Sequence, residues 1–249
     1  MVSKQQVALV TGAARGIGAA TARRLAREGY AVAVNDVAFE EQLQELAQEI
    51  GGLSVPGDIS TADGIAATVA AELGPVTALV ANAAFMEMQP FLEQEPGRWW
   101  RHIDVNLSGH FRLIQRVIPA MRDASFGRIV IITSGWGVTG YPGASAYAAS
   151  KAGLIALAKG LGRELAPFGI CTNAIAPAYV DTEQLAVDAA DAGIPLAAMR
   201  ERYRALIPIG ELASPADIAA TVAFLCGEGG GAFVGQVLQP SGGVARSRA

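Results

Sequence analysis

Charge is scarce in this 249-residue chain, with Asp, Glu, Lys and Arg together making up 17% of it. Basic residues never cluster, and the balance is slightly acidic, with a net charge of −4 at neutral pH. A protein that neutralises nucleic-acid phosphates or an anionic bilayer needs a basic patch or stripe, so neither is an expected partner. Long apolar runs are also missing. Between Arg128 and Lys151 no charge interrupts the chain, but Ser, Thr, Gly and Pro do, and only Ile129–Ile132 is continuously apolar. A membrane-spanning helix needs about 20 apolar residues. Met1–Gln6 is polar and Val7–Val10 is too short for the core of a signal peptide, so the expected location is cytoplasmic. Cysteine and histidine are equally sparse, two of each. Cys171 and Cys226 lack C-x-x-C spacing and read as small buried hydrophobes, while His102 and His110 read as structural polar residues, so no metal site is expected.

Apolar residues are abundant, at 51% with a mean hydropathy of +0.32, which excludes intrinsic disorder. Short continuous apolar runs at Val7–Val10, Ala31–Val34, Leu53–Val55, Ala78–Ala81, Arg128–Ile132, Ile170–Ile175 and Val237–Gln239 have the look of strands buried on both faces. Helical periodicity falls between them, at Ile17–Glu28, Phe39–Glu49, Ala62–Glu72, about Arg98–Met121 and Ala146–Leu165. Ser60–Asp63 and Ser214–Asp217 each place a hydroxyl three residues before an acid, a helix-start signal, and the second opens a helix to about Leu225. Alternating strands and helices predict an α/β fold: a Rossmann-like, doubly wound parallel sheet of seven strands with helices on both faces. No repeat, linker or composition break divides residues 1–249, so one domain is expected, with a helical excursion at about 181–212 covering a substrate.

Thr11-Gly12-Ala13-Ala14-Arg15-Gly16-Ile17-Gly18 follows the first strand and opens a helical pattern. Glycines there permit a tight turn beside the free N–H groups of a helix start, which suits a pyrophosphate. Asp36 closes the second strand, near the ~20-residue spacing at which an acid meets an adenosine ribose. A carboxylate there accepts ribose hydroxyls and repels a 2′-phosphate, so NAD is the expected cofactor. Arg15 pulls toward NADP, because a guanidinium in the turn is placed to pair with that phosphate.

Tyr147 and Lys151 lie four apart in a helix-type segment and share a face. A cation there stabilises a phenolate and brings a general acid/base toward its working range. Ser134 follows the fifth strand at the carboxyl edge of the sheet, where such folds bind ligands, and its hydroxyl suits a substrate oxygen.

With these residues in view, the sequence resembles the short-chain dehydrogenase/reductase family of the classical type over essentially its whole length. Thr11–Gly18 is similar to that family's T-G-x-x-x-G-x-G, Asp58-Ile59 to its adenine-contacting pair and Asn82-Ala83-Ala84 to its N-A-G. Asn106, Ser134, Tyr147 and Lys151 fall where its catalytic tetrad stands, with steps of 28 and 13 residues between the first three. Pro177, Val180 and Thr182 match the segment that meets the nicotinamide carboxamide. The resemblance implies that Tyr147 is the acid/base, that Lys151 lowers its pKa and binds the ribose, and that Ser134 orients the substrate oxygen. It also implies that Asn106 holds a relay water, and that the chain forms a homotetramer or homodimer through the Arg98–Met121 and Tyr147 helices. Ala81, Ala84, Ala178 and Ser241 depart from the family pattern without removing a proton donor.

Met86, Trp136, Tyr141 and Tyr179 are the expected substrate-pocket residues, with the Leu185–Met199 stretch closing over them. Their apolar and aromatic character suits a hydrophobic or aromatic secondary alcohol or ketone. The expected function is therefore hydride transfer between NAD(H) and such a substrate. The alternatives are an NADPH-dependent 3-oxoacyl thioester reductase and a non-catalytic NAD-binding subunit or sensor.

Overall fold

A computed structural model describes residues 5–61 and 64–245. The first four residues of the polar N-terminal stretch, and Ala62 and Asp63 of the first helix-start signal, lie outside the described residues. Seven strands form one parallel sheet: β1 (Val7–Thr11), β2 (Ala31–Asn35), β3 (Leu53–Ser54), β4 (Val76–Ala81), β5 (Gly127–Ile132), β6 (Ile170–Ile175) and β7 (Val237–Leu238). Their spatial order is β3-β2-β1-β4-β5-β6-β7. The order reverses between β1 and β4, which opens a crevice at their carboxyl ends where doubly wound sheets bind ligands.

Successive side chains of a strand face opposite ways, and the core divides accordingly. Ala8, Val10, Val32, Val34, Val80 and Val130 pack on α1 (Gly16–Arg27), α2 (Glu40–Ile50) and α10 (Pro215–Cys226) through residues such as Leu25, Leu43 and Val222. Val7, Leu9, Leu79, Ile129 and Ile131 pack on α3 (Ile65–Glu72), α5 (His110–Asp123) and α7 (Ser145–Leu165) through residues such as Val69, Ile114 and Leu154. Burial on both faces is why these strands read as unbroken apolar runs rather than alternating ones.

Two local differences from the sequence reading have physical causes, and a third feature follows it. The segment expected as one helix from Arg98 to Met121 is α4 (Pro96–Ile103) and α5 joined by a π-helical turn at Asp104–Gly109, which carries Asn106. An insertion of this kind leaves the apolar period nearly intact, so periodicity does not reveal it. Ser60 does not cap α3, whose N-cap position is Gly64; its hydroxyl donates to Asp58 Oδ1 at 2.7 Å. Ser214 does cap α10: its Oγ accepts the Asp217 N–H at 3.2 Å while Asp217 Oδ2 accepts the Ser214 N–H at 2.7 Å.

Beyond β6, the excursion folds into α8 (Gln184–Asp191) and α9 (Leu196–Arg204), with a small core of Leu185, Ala189, Met199 and Tyr203. One parallel bridge, Val180 to Ala213, ties its base to the body. No helix among the described residues is long and apolar enough to cross a membrane.

Candidate active site

At the switch point, Gly12 turns with φ +62°, and a Cβ there would come within 2.7 Å of Ala83 Cα. Asn82 locks the same contact from β4, its Nδ2 donating to the carbonyls of Thr11 and Gly12 at 2.9 Å each. Gly18 is closed in by the Gly12 carbonyl, while Gly16 has φ +55° and a Cβ there would be in ordinary contact with Glu183 and Thr182, so Gly12 and Gly18 serve packing and Gly16 meets the segment after β6. The first turn of α1 has neither a side-chain cap nor an acid. Its orphan N–H groups are therefore available to an anion.

Asp36 is fixed by three backbone N–H donors: Ala14 at 3.1 Å on one oxygen, Val37 at 2.8 Å and Ala38 at 3.2 Å on the other. Arg15 does not pair with it; the guanidinium lies 4.5 Å over the Phe39 ring, and Phe39 holds a left-handed backbone with φ 57°. Gly12, Arg15, Asp36, Phe39, Asp58, Ile59 and Ala83 line one cavity of about 190 Å³. Asp58 itself is held by Ser60, whose N–H and hydroxyl both reach Oδ1.

Ala84 belongs to that cavity and to a second of about 440 Å³ over the ends of β4, β5 and β6. The second contains Arg15, Ile17, Asn82, Met86, Ser134, Trp136, Tyr147, Lys151, Pro177, Tyr179, Val180 and Thr182. The two cavities share Arg15 and Ala84, and the residues present fit a bound dinucleotide: open N–H groups, a backbone-fixed carboxylate at Asp36 and no side chain filling the bend.

Tyr147 is half-buried, and Lys151 is 1% exposed with Nζ 5.6 Å from the Tyr147 ring centre. Nζ donates to the Ile132 carbonyl at 2.9 Å. Burial dominates both groups, pushing the Tyr147 phenol up to about 12 and the Lys151 ammonium down to about 7. The net shift of the phenol is thus upward, whereas the resemblance implies a lowering by Lys151. The Ser134 hydroxyl acts downward on Tyr147, and the Asp188 carboxylate acts upward. Ser134 Oγ also accepts the Trp136 N–H at 3.1 Å.

Asn106 does not line the cavity. Fully buried in the π turn, it accepts the Phe85 N–H at 2.7 Å and donates to the Phe85 carbonyl at 2.9 Å and to Ser150 Oγ at 3.0 Å. Its carboxamide thus pins the loop after β4 to α7. His110, also buried, bonds through Nε2 to the Ala83 carbonyl at 2.9 Å, and burial lowers its pKa to about 3. His102 accepts the Glu87 N–H and donates to the Arg98 carbonyl. Both histidines are structural, as expected from the sequence.

The aromatic pocket residues meet in pairs. Trp136 stacks on Tyr141 with centres 4.2 Å apart, and Tyr179 stacks on Tyr203 at 4.4 Å. Tyr141 lines an outer cavity of about 670 Å³ rather than the inner one. Gln184, Asp188 and Tyr203 were not singled out from the sequence. They arrive on α8 and α9, whose docking leaves no period or spacing to read.

Residues 12–245 match the family model described as Enoyl-(Acyl carrier protein) reductase. An acetoacetyl-CoA reductase from Rhizobium meliloti (strain 1021) is 39% identical over 242 residues, covering 96% of this chain and 98% of that one. A 3-oxoacyl-(acyl-carrier-protein) reductase from Staphylococcus aureus (strain Mu50 / ATCC 700699) is 35% identical over 245 residues, covering 95% and 97%. Among solved structures, an actinorhodin polyketide ketoreductase variant with NADPH superposes with a TM-score of 0.93 at 34% identity, covering 98% of this chain and 99% of that one.

Proposed function

The chain belongs to the short-chain dehydrogenase/reductase family and is an oxidoreductase, and from that premise we propose that it interconverts a 3-oxo and a 3-hydroxy compound with NAD(H). The observation that carries the reading is the meeting of Tyr147, Lys151 and Ser134 in one cavity that adjoins the dinucleotide crevice. The names of the relatives favour a 3-oxoacyl thioester over the plain hydrophobic alcohol expected from the pocket residues alone.

A bound nicotinamide supplies the hydride in reduction and accepts it in oxidation. In reduction the carbonyl carbon gains that hydride and the carbonyl oxygen gains the Tyr147 proton, giving the alcohol. Ser134 holds the oxygen, and Lys151 favours the phenolate left behind. Asn106 acts as a positioning residue by fixing the Phe85 loop. The test is NADH oxidation with acetoacetyl-CoA beside simple methyl ketones. Turnover of the thioester supports the reading, turnover of ketones alone restores the plain alcohol, and turnover of neither overturns both.

The choice of NAD rests on Asp36. Its carboxylate, fixed by three N–H groups, stands beside Arg15 in the adenosine cavity and repels a 2′-phosphate. We expect NADH to bind about tenfold or more tighter than NADPH, and Asp36→Ser to erase that preference by weakening NADH and admitting the phosphate to Arg15. Titration of cofactor fluorescence checks both; tighter NADPH binding by the unaltered protein would assign the phosphate to Arg15 instead.

The oligomer is proposed on the outer faces of α4, α5 and α7, where Trp100 and Phe111 are exposed and Ala149, Ala152 and Ala156 allow close approach. Light scattering at micromolar concentration is expected to give a dimer or tetramer, and a monomer would remove this part of the reading.

A further inference from the structure

Some acids around the excursion have cationic partners, Asp181 with Arg200 at 3.0 Å, Glu87 with Arg98 at 2.8 Å and Glu201 with Arg204 at 2.7 Å, while Glu183, Asp188 and Asp191 have none among the described residues. Of the last three, Asp188 lines both the 440 Å³ inner cavity and the 670 Å³ outer one, so it stands on the boundary between them. Its oxygens accept the Gln184 amide at 3.1 Å and the Tyr203 hydroxyl at 3.0 Å. It has no ion-pair partner among the described residues. A carboxylate has about four acceptor positions, so roughly half remain open toward the cavity. Tyr203 is itself stacked on Tyr179, and Trp136 with its partner Tyr141 completes the surrounding aromatic wall.

An unpaired carboxylate is an unfavourable neighbour for a tyrosine that must become a phenolate, since it opposes that charge. A donor group on the substrate relieves the conflict by neutralising or hydrogen-bonding the acid. We propose that Asp188 is a specificity residue that accepts a hydrogen bond from an N–H or O–H donor on the substrate arm leading away from the reacting carbonyl, between the two aromatic stacks. The inference rests on the oxidoreductase reading above and narrows its substrate to a carbonyl compound bearing such a donor. The donor chemistry is shared by the amide of an acyl-thioester arm, a hydroxyl and an ammonium. An ammonium would gain most from the rings as well as the charge.

The test compares the unaltered protein with Asp188→Leu and Asp188→Asn on three substrate pairs. An acetoacetyl thioester of N-acetylcysteamine, a hydroxyalkyl ketone and an ammonioalkyl ketone are each set beside a donor-free analogue of equal length. A preference of about tenfold or more for the donor-bearing member is expected in at least one pair, because a site built around a polar group rejects the analogue that leaves it unpaired. The pair that shows it identifies the donor. Asp188→Leu should reduce that preference about tenfold, and Asp188→Asn, which keeps an acceptor oxygen, should fall between. The same ligands are titrated against Tyr147→Phe protein, with and without Asp188→Leu, by intrinsic tryptophan fluorescence, which reads the preference as a ratio of dissociation constants without turnover. Equal handling of all pairs, or a preference that survives Asp188→Leu, overturns the proposal. If the unaltered protein reduces nothing while the binding preference follows Asp188, the oxidoreductase reading of the substrate fails and the donor site stands.

Discussion

Replacing Tyr147 by Phe is expected to lower kcat about 10²–10⁴-fold, the range that a positioned general acid contributes, while cofactor affinity changes little. The substitution removes one oxygen and keeps the ring. The ring makes the packing contacts, with Trp136 edge-on at 6.2 Å and the Lys151 ammonium near its face. The hydroxyl lines the cavity beside Ser134, whose Oγ keeps the Trp136 N–H when the phenol is gone, so thermal stability should change little. Steady-state rates and NADH binding measured on the same preparations separate the two effects. A variant keeping more than a tenth of the rate would move the proton source to another group, and loss of cofactor binding in parallel would make Tyr147 a binding residue instead. Asp188 adds a second signature. Because it raises the Tyr147 pKa, Asp188→Asn should move the ascending limb of the rate profile for oxidation, which follows formation of the phenolate, toward lower pH.

How much of this was legible beforehand follows from the physics of each element. Strands buried on both faces advertise themselves as apolar runs, and all seven fall where the sequence puts them, though β3 and β7 are only two residues each. The Gly-rich turn was legible because its backbone demands are local, as the positive φ of Gly12 and Gly16 shows. Asn106 was found only by resemblance. Periodicity runs through Asp104–Gly109 as though the helix were regular, so neither the π turn nor the grip on Phe85 had a signal. Asp188 was less legible still. Its importance comes from α8 facing the cavity that holds Ser134 and Tyr147, residues distant from it in sequence, and nothing within α8 distinguishes it from Asp191. The upward net shift of Tyr147 has no signal in the sequence for a related reason. Spacing reports that two groups share a helix face, whereas burial, which decides the sign here, belongs to the whole fold.

That burial makes Lys151 a costly residue, and Lys151→Met should reveal the cost. In the folded chain its ammonium is pushed down to about 7 from a reference of 10.5. Between these values the unfolded chain binds the proton and the folded chain does not, so this group's contribution to stability rises with pH across the interval. Below about 7 both states carry the proton, and the folded state bears the full penalty of a buried charge. Methionine fills similar volume without charge. At pH 6 the variant should therefore be more stable than the unaltered protein by about 1–3 kcal/mol, since the relieved penalty exceeds the one hydrogen bond to the Ile132 carbonyl that is lost. The advantage should shrink steadily toward pH 9.5. Turnover moves the opposite way, falling about 10²-fold or more because the phenolate loses its cation. Urea unfolding at three pH values, run beside kcat measurements, tests both. A variant destabilised equally at every pH would mean that Lys151 is held as a structural hydrogen-bond donor. The expected result, a more stable and inactive protein, identifies it as a charge kept in the core for the reaction.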